Sequence, residues 1–199
     1  MSLLTDSDIR RYCESPVYCA EWGPMIDPFC EAVSGNGVIG YGLSSCGYDI
    51  RLGNEVWYLK SSGETINPKK FKDPEYRDRV MDRRYFEDGA EVTIPANGYI
   101  LGVSKEYFRI PRTVAGRCEG KSTYARCAVQ INITKLEPEW EGYLTIEIAN
   151  GGPSPIIVFA GEGICQISFE TLSGRPEKTY KDKGGKYQKQ VGVTPAIVL

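Results

Sequence analysis

The chain contains no histidine among its 199 residues. That absence removes Ser-His and Cys-His nucleophilic pairs, and with them the commonest metal ligand. It also removes the zinc sites that work on nucleobases through an H-x-E motif with a P-C-x-x-C motif, because neither can be written from these residues. Paired C-x-x-C cysteines are missing too. The seven cysteines, at positions 13, 19, 30, 46, 118, 127 and 165, are odd in number and scattered. That is the pattern of buried free thiols in a reducing cytosol, not of a disulfide frame. No apolar run approaches the length of a membrane span. The opening Met1-Ser2-Leu3-Leu4-Thr5-Asp6 lacks the basic and apolar regions of a secretory leader. A net charge of -2 does not suit a molecule that binds nucleic acid over its whole surface, so any anion site is local. The expectation is a cytoplasmic protein with no membrane and no nucleic-acid partner.

What is present reads as one domain over residues 1–199. Thr5 caps a short helix beginning at Asp6, with Asp6 and Asp8 in its first turn. After it come short β-rich runs: Tyr48–Leu52, Tyr99–Val103, Val129–Thr134 and Ile164–Phe169. Turn signals punctuate them at Gly35-Asn36-Gly37, Pro95-Ala96-Asn97-Gly98 and Gly151-Gly152-Pro153. Such spacing predicts an all-β sandwich or barrel. Residues 68–88 break the pattern, being dense in charge and tyrosine, and read as a surface excursion with one helical turn at most. The tail from Lys178 to Gln190 carries Lys178, Lys181, Lys183, Lys186 and Lys189 against the single acid Asp182. Composition alone gives a solvated, loosely ordered terminus. The functional alternative is a basic lid over residues 178–199, hinged at Gly184-Gly185 and closing on a polyphosphate.

Two segments carry candidate chemistry. In Gly120-Lys121-Ser122-Thr123-Tyr124-Ala125-Arg126, the Lys121 and Arg126 cations and the Ser122 and Thr123 hydroxyls suit phosphate. The plain alternative is a polar turn with surface cations. It is not a P-loop, because Gly116 and Gly120 stand one residue too close for that motif. In Tyr143-Leu144-Thr145-Ile146-Glu147-Ile148-Ala149, strand alternation puts Leu144, Ile146 and Ile148 on one face and Glu147 on the other. A solvent-facing Glu147 in a cross-strand ion pair is one reading. A partly desolvated general base in a pocket is the other. Glu137, Glu139 and Glu141 flank Trp140 and read as a solvated turn. A Mg²⁺ there would sit on a ligand's phosphates, not in a protein cage.

These blocks resemble a known family in order along nearly the whole chain. Val114–Arg126 is similar to the signature of the dCTP deaminases, usually written G-R-S-S-L-A-R, and Glu137–Glu147 to the family's second block. Ser45–Leu52 resembles its S-x-D-I-R-L strand, Gly185–Gly192 its C-terminal G-K-Y-Q-x-Q-x-G block, and Leu3–Ile9 its N-terminal helix. The resemblance implies a distorted β-barrel of the dUTPase type, with a short N-terminal helix and a flexible C-terminal lid. It implies a homotrimer whose sites are shared between subunits. The implied reaction is hydrolytic deamination of dCTP to dUTP and ammonia, without zinc and with Mg²⁺ on the triphosphate, supplying dUTP for dUMP and dTTP synthesis. dTTP is implied as an inhibitor. Glu147 aligns with the catalytic glutamate, worth roughly 10²–10⁴-fold as an acid–base group. Ser122 and Arg126 align with the residues that position the water, and Arg126 would favour the Glu147 carboxylate. Lys121 and Thr123 align with triphosphate-binding positions, Glu137 with a substrate-binding acid, and Tyr180, Lys186 and Gln190 with tail residues that close on the nucleotide.

There are departures. Lys121 stands where many members have Arg, and a lysine offers a point charge where Arg offers a planar fork. Glu137 stands where many have Asp, and the Ala-Gly pair preceding that acid in bifunctional members is replaced within Ile133-Thr134-Lys135-Leu136. These changes favour a monofunctional deaminase over a bifunctional deaminase and dUTP diphosphatase. From another class, a non-catalytic trimeric nucleotide-binding module is the competing reading. Its weakness is that Ser122, Arg126 and Glu147 are all kept. Residues 54–90 match no family block.

Overall fold

The computed structural model describes residues 2–198. Two helices open the chain, α1 (Asp6–Glu14) and α2 (Pro16–Trp22). In α1, Thr5 and Asp8 form a reciprocal capping box. The second helix was not expected from the sequence. Ser15 caps it through Tyr18 N, and Pro16 takes the first position, where its missing N–H costs nothing.

The strands follow in chain order as β1 (Ile26–Asp27), β2 (Val33–Gly35), β3 (Val38–Ser44) and β4 (Gly47–Leu59). After a 3₁₀ turn (Pro68–Lys70) and α3 (Pro74–Val80) come β5 (Met81–Tyr85), β6 (Glu91–Ile94), β7 (Tyr99–Arg109) and β8 (Val114–Gly120). A short α4 (Ser122–Ala125) leads to β9 (Val129–Asn132), β10 (Glu141–Asn150), β11 (Ile156–Phe159) and β12 (Gly163–Thr171).

The long β4 organises them. Its first half pairs with β3 and β12, and β12 pairs on with β8. Its second half pairs with β5 and β7, and β7 leads through β10 to β9. One strand thus serves two sheet halves that curl toward each other, giving the distorted half-barrel expected of an all-β chain. The register shifts between Leu52 and Val56. Gly53 lies there, and a Cβ on it would meet Val103 Cγ1 and the Val103 carbonyl at 2.9 Å, so only glycine permits this approach. A separate two-stranded ribbon joins β6 to β11.

Alternation fills the interior. Tyr48, Ile50 and Leu52 from β4 are fully buried, as are Ile100 and Phe108 from β7, Ile146 and Ile148 from β10, and Ile167 and Phe169 from β12. One ion pair sits among them. Arg51 Nε is 2.7 Å from Glu106 Oε1, and the Arg51 backbone N–H donates to Glu106 Oε2 at 3.1 Å. The Arg51 guanidinium also lies 4.9 Å from the Tyr41 ring centroid. No helix among the described residues is long and apolar enough to cross a membrane.

Residues 68–88 differ from the expected surface excursion. Phe71, Tyr76, Val80 and Met81 form a second apolar cluster, packed on Trp57, Leu59 and Leu101. The Tyr76 hydroxyl accepts from Asn67 N and donates to the Thr65 carbonyl, which ties the segment to itself.

The tail is docked, where composition alone suggested a loose terminus. Gln190 and Tyr143 exchange bonds: Tyr143 N donates to the Gln190 carbonyl at 3.1 Å, and Gln190 Nε2 donates to the Tyr143 carbonyl at 2.6 Å. Lys189 N donates to the Glu141 carbonyl, and Trp140 Nε1 to the Tyr187 carbonyl at 2.9 Å. Val193 is buried. Gly184 adopts a φ of 61° and Gly185 lies flat against Tyr180, where a Cβ would overlap the ring at 2.1 Å. The expected hinge pair is thus a tight turn packed on an aromatic face.

Candidate active site

Glu147 lies on β10 between Leu101 of β7 and Asn132 of β9. A register shift between Tyr143 and Thr145 precedes it. Ser104 Oγ fills that irregularity, accepting from Leu144 N at 2.8 Å and donating to the Glu106 carbonyl at 2.6 Å. The face carrying Glu147 opens into a cavity of about 440 Å³. Thr134, Lys135, Glu137, Thr145 and Gln190 contribute polar lining, and Trp140, Tyr180 and Tyr187 add aromatic wall. The tail roofs it with Thr194, Pro195 and Ala196, held by the bond from Thr194 N to Thr145 Oγ1 at 3.0 Å.

Glu147 makes no ion pair among the described residues, and its Oε2 is buried without a hydrogen-bond partner. Burial pushes its pKa up to about 7, against a smaller lowering by its own backbone N–H. An ordinary surface strand glutamate would do neither, so the pocket reading describes this side chain and the cross-strand ion pair does not. A carboxyl poised near neutrality can take a proton from water and give one back. Its field reaches its neighbours, adding to the burial that raises Tyr99 and Cys118 to about 12.

Of the residues expected to act, the structure brings Glu147, Glu137, Tyr180 and Gln190 around this one cavity. Lys186 lies outside its lining and donates from Nζ to the Ile197 carbonyl at 2.5 Å. The Lys121–Arg126 segment lies elsewhere. Ser122, Thr123 and Arg126 are exposed on and just after α4, and Arg126 Nη1 donates to the Ser122 carbonyl at 3.2 Å. Lys121 pairs with Asp49 Oδ2 at 2.9 Å and lines a separate groove with Asp49, Ser44 and Ser45. That contact joins two of the family-like blocks, because Asp49 belongs to the Ser45–Leu52 strand. Within one chain Arg126 is no part of what sets the ionisation of Glu147.

The acids of the 137–141 turn do not converge. Glu137 faces Lys183 at 3.5 Å, Glu139 faces Arg112 at 3.0 Å and Glu141 faces Lys189 at 3.3 Å. Among the described residues no three acids or thiols gather as a metal cage.

Lys135, Trp140 and Thr145 also belong to the cavity and were not singled out from sequence. Thr145 was legible by alternation, since it shares the Glu147 face. The apolar wall from residues 59–81 had no such signal.

The site is thus a tail-roofed cleft of a partly closed antiparallel barrel, with a desolvated carboxylate on its floor. The family follows from comparison. The dCTP deaminase-like family model matches residues 4–172, and the chain belongs to that family. It is 46% identical over 177 residues to a dCTP deaminase of Helicobacter pylori strain P12, covering 88% of this chain and 90% of that one. It is 47% identical over 171 residues to the dCTP deaminase of Acidiphilium cryptum, covering 85% and 89%. The fold is similar to that of a 2'-deoxycytidine 5'-triphosphate deaminase from Agrobacterium tumefaciens, at a TM-score of 0.56 and 17% identity. That match covers 85% of this chain and 47% of the other.

Proposed function

We propose that the protein hydrolyses the exocyclic amine of dCTP, giving dUTP and ammonia. The observation that carries this is Glu147, a carboxylate with an unpartnered buried oxygen and a pKa raised to about 7, facing a cavity sized for a nucleoside. Glu147 takes a proton from water as its oxygen attacks C4. It passes that proton to the ring nitrogen, then takes the second proton, from the new C4 hydroxyl, and passes it to the departing amine. The C4–O bond forms, the C4–N bond breaks, and no electron acceptor is needed.

The remaining groups come from a second copy. Ser122 and Arg126 lie outside the Glu147 cavity of their own chain, on an exposed turn. In the proposed homotrimer this turn of one subunit meets the cavity of its neighbour. There Ser122 and Arg126 hold the water, while Lys121 and Thr123 hold the phosphates. Asp49 keeps the Lys121 ammonium in place and leaves it further N–H donors for phosphate. Tyr180, Lys186 and Gln190 close the tail over the nucleotide, and Glu137 meets the sugar side.

Mg²⁺ fits as a passenger of the triphosphate. The nearby acids face three different cations, so phosphate and water oxygens are its natural ligands. When bound, it neutralises phosphate charge. dTTP would compete for the same cavity.

The test is incubation with dCTP and Mg²⁺, with nucleotides separated and ammonia and pyrophosphate both assayed. Equal amounts of dUTP and ammonia without pyrophosphate are expected. dUMP with pyrophosphate would move the assignment to the bifunctional class. Bound dCTP with no product would leave a nucleotide-binding module and remove Glu147 from the mechanism.

A further inference from the structure

The place of Glu147 depends on an irregularity between two strands. Tyr143 of β10 stands opposite Tyr107 of β7, and Thr145 stands opposite Val103. One residue, Leu144, therefore faces three, Ser104, Lys105 and Glu106, so β7 carries two residues more than β10 over this stretch. Side chains alternate with a period of two, so an insertion of two leaves Glu147 on its face and moves it along β7. Continued from Tyr143, an unbroken register would set Glu147 opposite Val103. The observed register sets it opposite Leu101, about 7 Å further along at two residues' rise. Leu101 lines the cavity, whereas Val103 is buried and does not.

One hydroxyl closes this bulge from inside. Ser104 is buried, accepts from Leu144 N at 2.8 Å and donates to the Glu106 carbonyl at 2.6 Å. It thereby gives partners to an N–H on one strand and a carbonyl on the other. Glu106 is fixed in turn by Arg51, through Nε and the backbone N–H. Lys105 pairs instead with Asp88. On the other flank Leu52 of β4 is the register partner of Ser104, and Gly53 allows the close approach of β7 there. A buried ion pair adds little stability that apolar side chains could not supply, and setting register is its best-attested use.

We propose that Ser104 is a positioning residue for the deamination: by locking the two-residue bulge of β7 it sets where Glu147 stands in the cavity, without touching substrate. The inference rests on the deaminase reading of Glu147. Ser104 is not among the residues that line the cavity, so it acts through β10. Without its hydroxyl, Leu144 N and the Glu106 carbonyl lose a partner in the interior, which favours a relaxed pairing of β7 and β10. Displacing a reacting group by about 1 Å costs about 100-fold in rate. Gln190 is bonded to Tyr143, ahead of the bulge, so the tail keeps its hold on the nucleotide.

The experiment measures kcat and KM for ammonia release from dCTP, with the full chain and Mg²⁺, in the parent, Ser104→Ala and Ile94→Val. Ile94→Val trims a buried side chain of the β6–β11 ribbon and serves as the destabilised control. Calorimetry compares dCTP binding to Glu147→Gln with and without Ser104→Ala. The expected result is a kcat lowered about tenfold to a hundredfold in Ser104→Ala, with KM held within about twofold. Binding to the two Glu147→Gln proteins should agree within about twofold, and Ile94→Val should keep the parent's kcat. An unchanged kcat in Ser104→Ala, a rise in KM alone, or an equal fall in Ile94→Val would overturn this inference and leave the deaminase reading intact. No ammonia from the parent would overturn both. If Ser104→Ala does not fold, Ser104→Cys, which keeps the shape with a feeble hydrogen-bonding group, carries the same comparison.

Discussion

Replacing Glu147 by Gln should stabilise the protein above neutral pH while abolishing turnover. The side chain's pKa lies at about 7 against an ordinary 4.5, because burial disfavours the charged form. A carboxyl raised in the folded state costs nothing below its unfolded pKa. As pH rises from about 4.5 through 7, folding must increasingly retain a proton or bury a charge, and stability falls. At about 1.4 kcal/mol per unit, the full difference corresponds to roughly 3 kcal/mol. Water entering the open cavity screens part of it, so a loss of about 1–3 kcal/mol is expected. Glutamine has the same shape and no charge to bury. The assay is urea denaturation of both proteins at pH 5 and pH 9, at one protein concentration because oligomers unfold by mass action. The variant should gain on the parent between the two pH values by that amount, and nucleotide binding should survive. Parallel stability curves would mean that Glu147 is solvated and no better a base than a surface glutamate.

Other consequences can be measured with equal directness. Deleting the chain from Lys178 removes Tyr180, Lys186, Gln190 and the cavity roof. The remainder should stay folded, while dCTP binding weakens at least about tenfold, the worth of one charge-assisted hydrogen bond. Isothermal titration would refute this if the affinity were unchanged. If sites are shared between subunits, mixing inactive Glu147→Gln with inactive Ser122→Ala, unfolding and reassembling them together, should restore part of the activity. Persistent inactivity of the mixed oligomers would place both residues in one chain's site. Arg51→Ala should cost about 3–5 kcal/mol in denaturant, since it strands Glu106 at 0% exposure without its partner. Arg51→Met with Glu106→Leu should recover most of that loss.

Much of the barrel was legible because its strands keep strict apolar alternation between glycine and proline signals, as in Tyr48–Leu52 and Ile164–Phe169. The direction of Glu147 was legible for the same reason, but its environment was not. Alternation assigns a side chain to a face and is silent on what covers that face. Here the cover is a tail placed by backbone bonds to Glu141 and Tyr143, which leave no mark in side-chain composition. Residues 68–88 were illegible because their order is tertiary: Tyr76 and Met81 pack on strands distant in sequence or on the far side of a loop. Likewise, Lys121 read as a phosphate-binding or surface cation, with no sign that Asp49 holds it at the junction of β4, β12 and β8.

The excursion between Leu59 and Met81 leaves and rejoins the sheet on a single rung, since those two residues are direct partners of β4 and β5. Its ends are therefore pinned whatever lies between them. Insertions, deletions or wholesale exchange of residues 60–80 can alter one wall of the cleft without moving the strand that bears Glu147. The cleft wall and the strand bearing Glu147 are thus separately replaceable pieces of chain, so lineages or designers can change what lines the cleft while inheriting Glu147 unchanged.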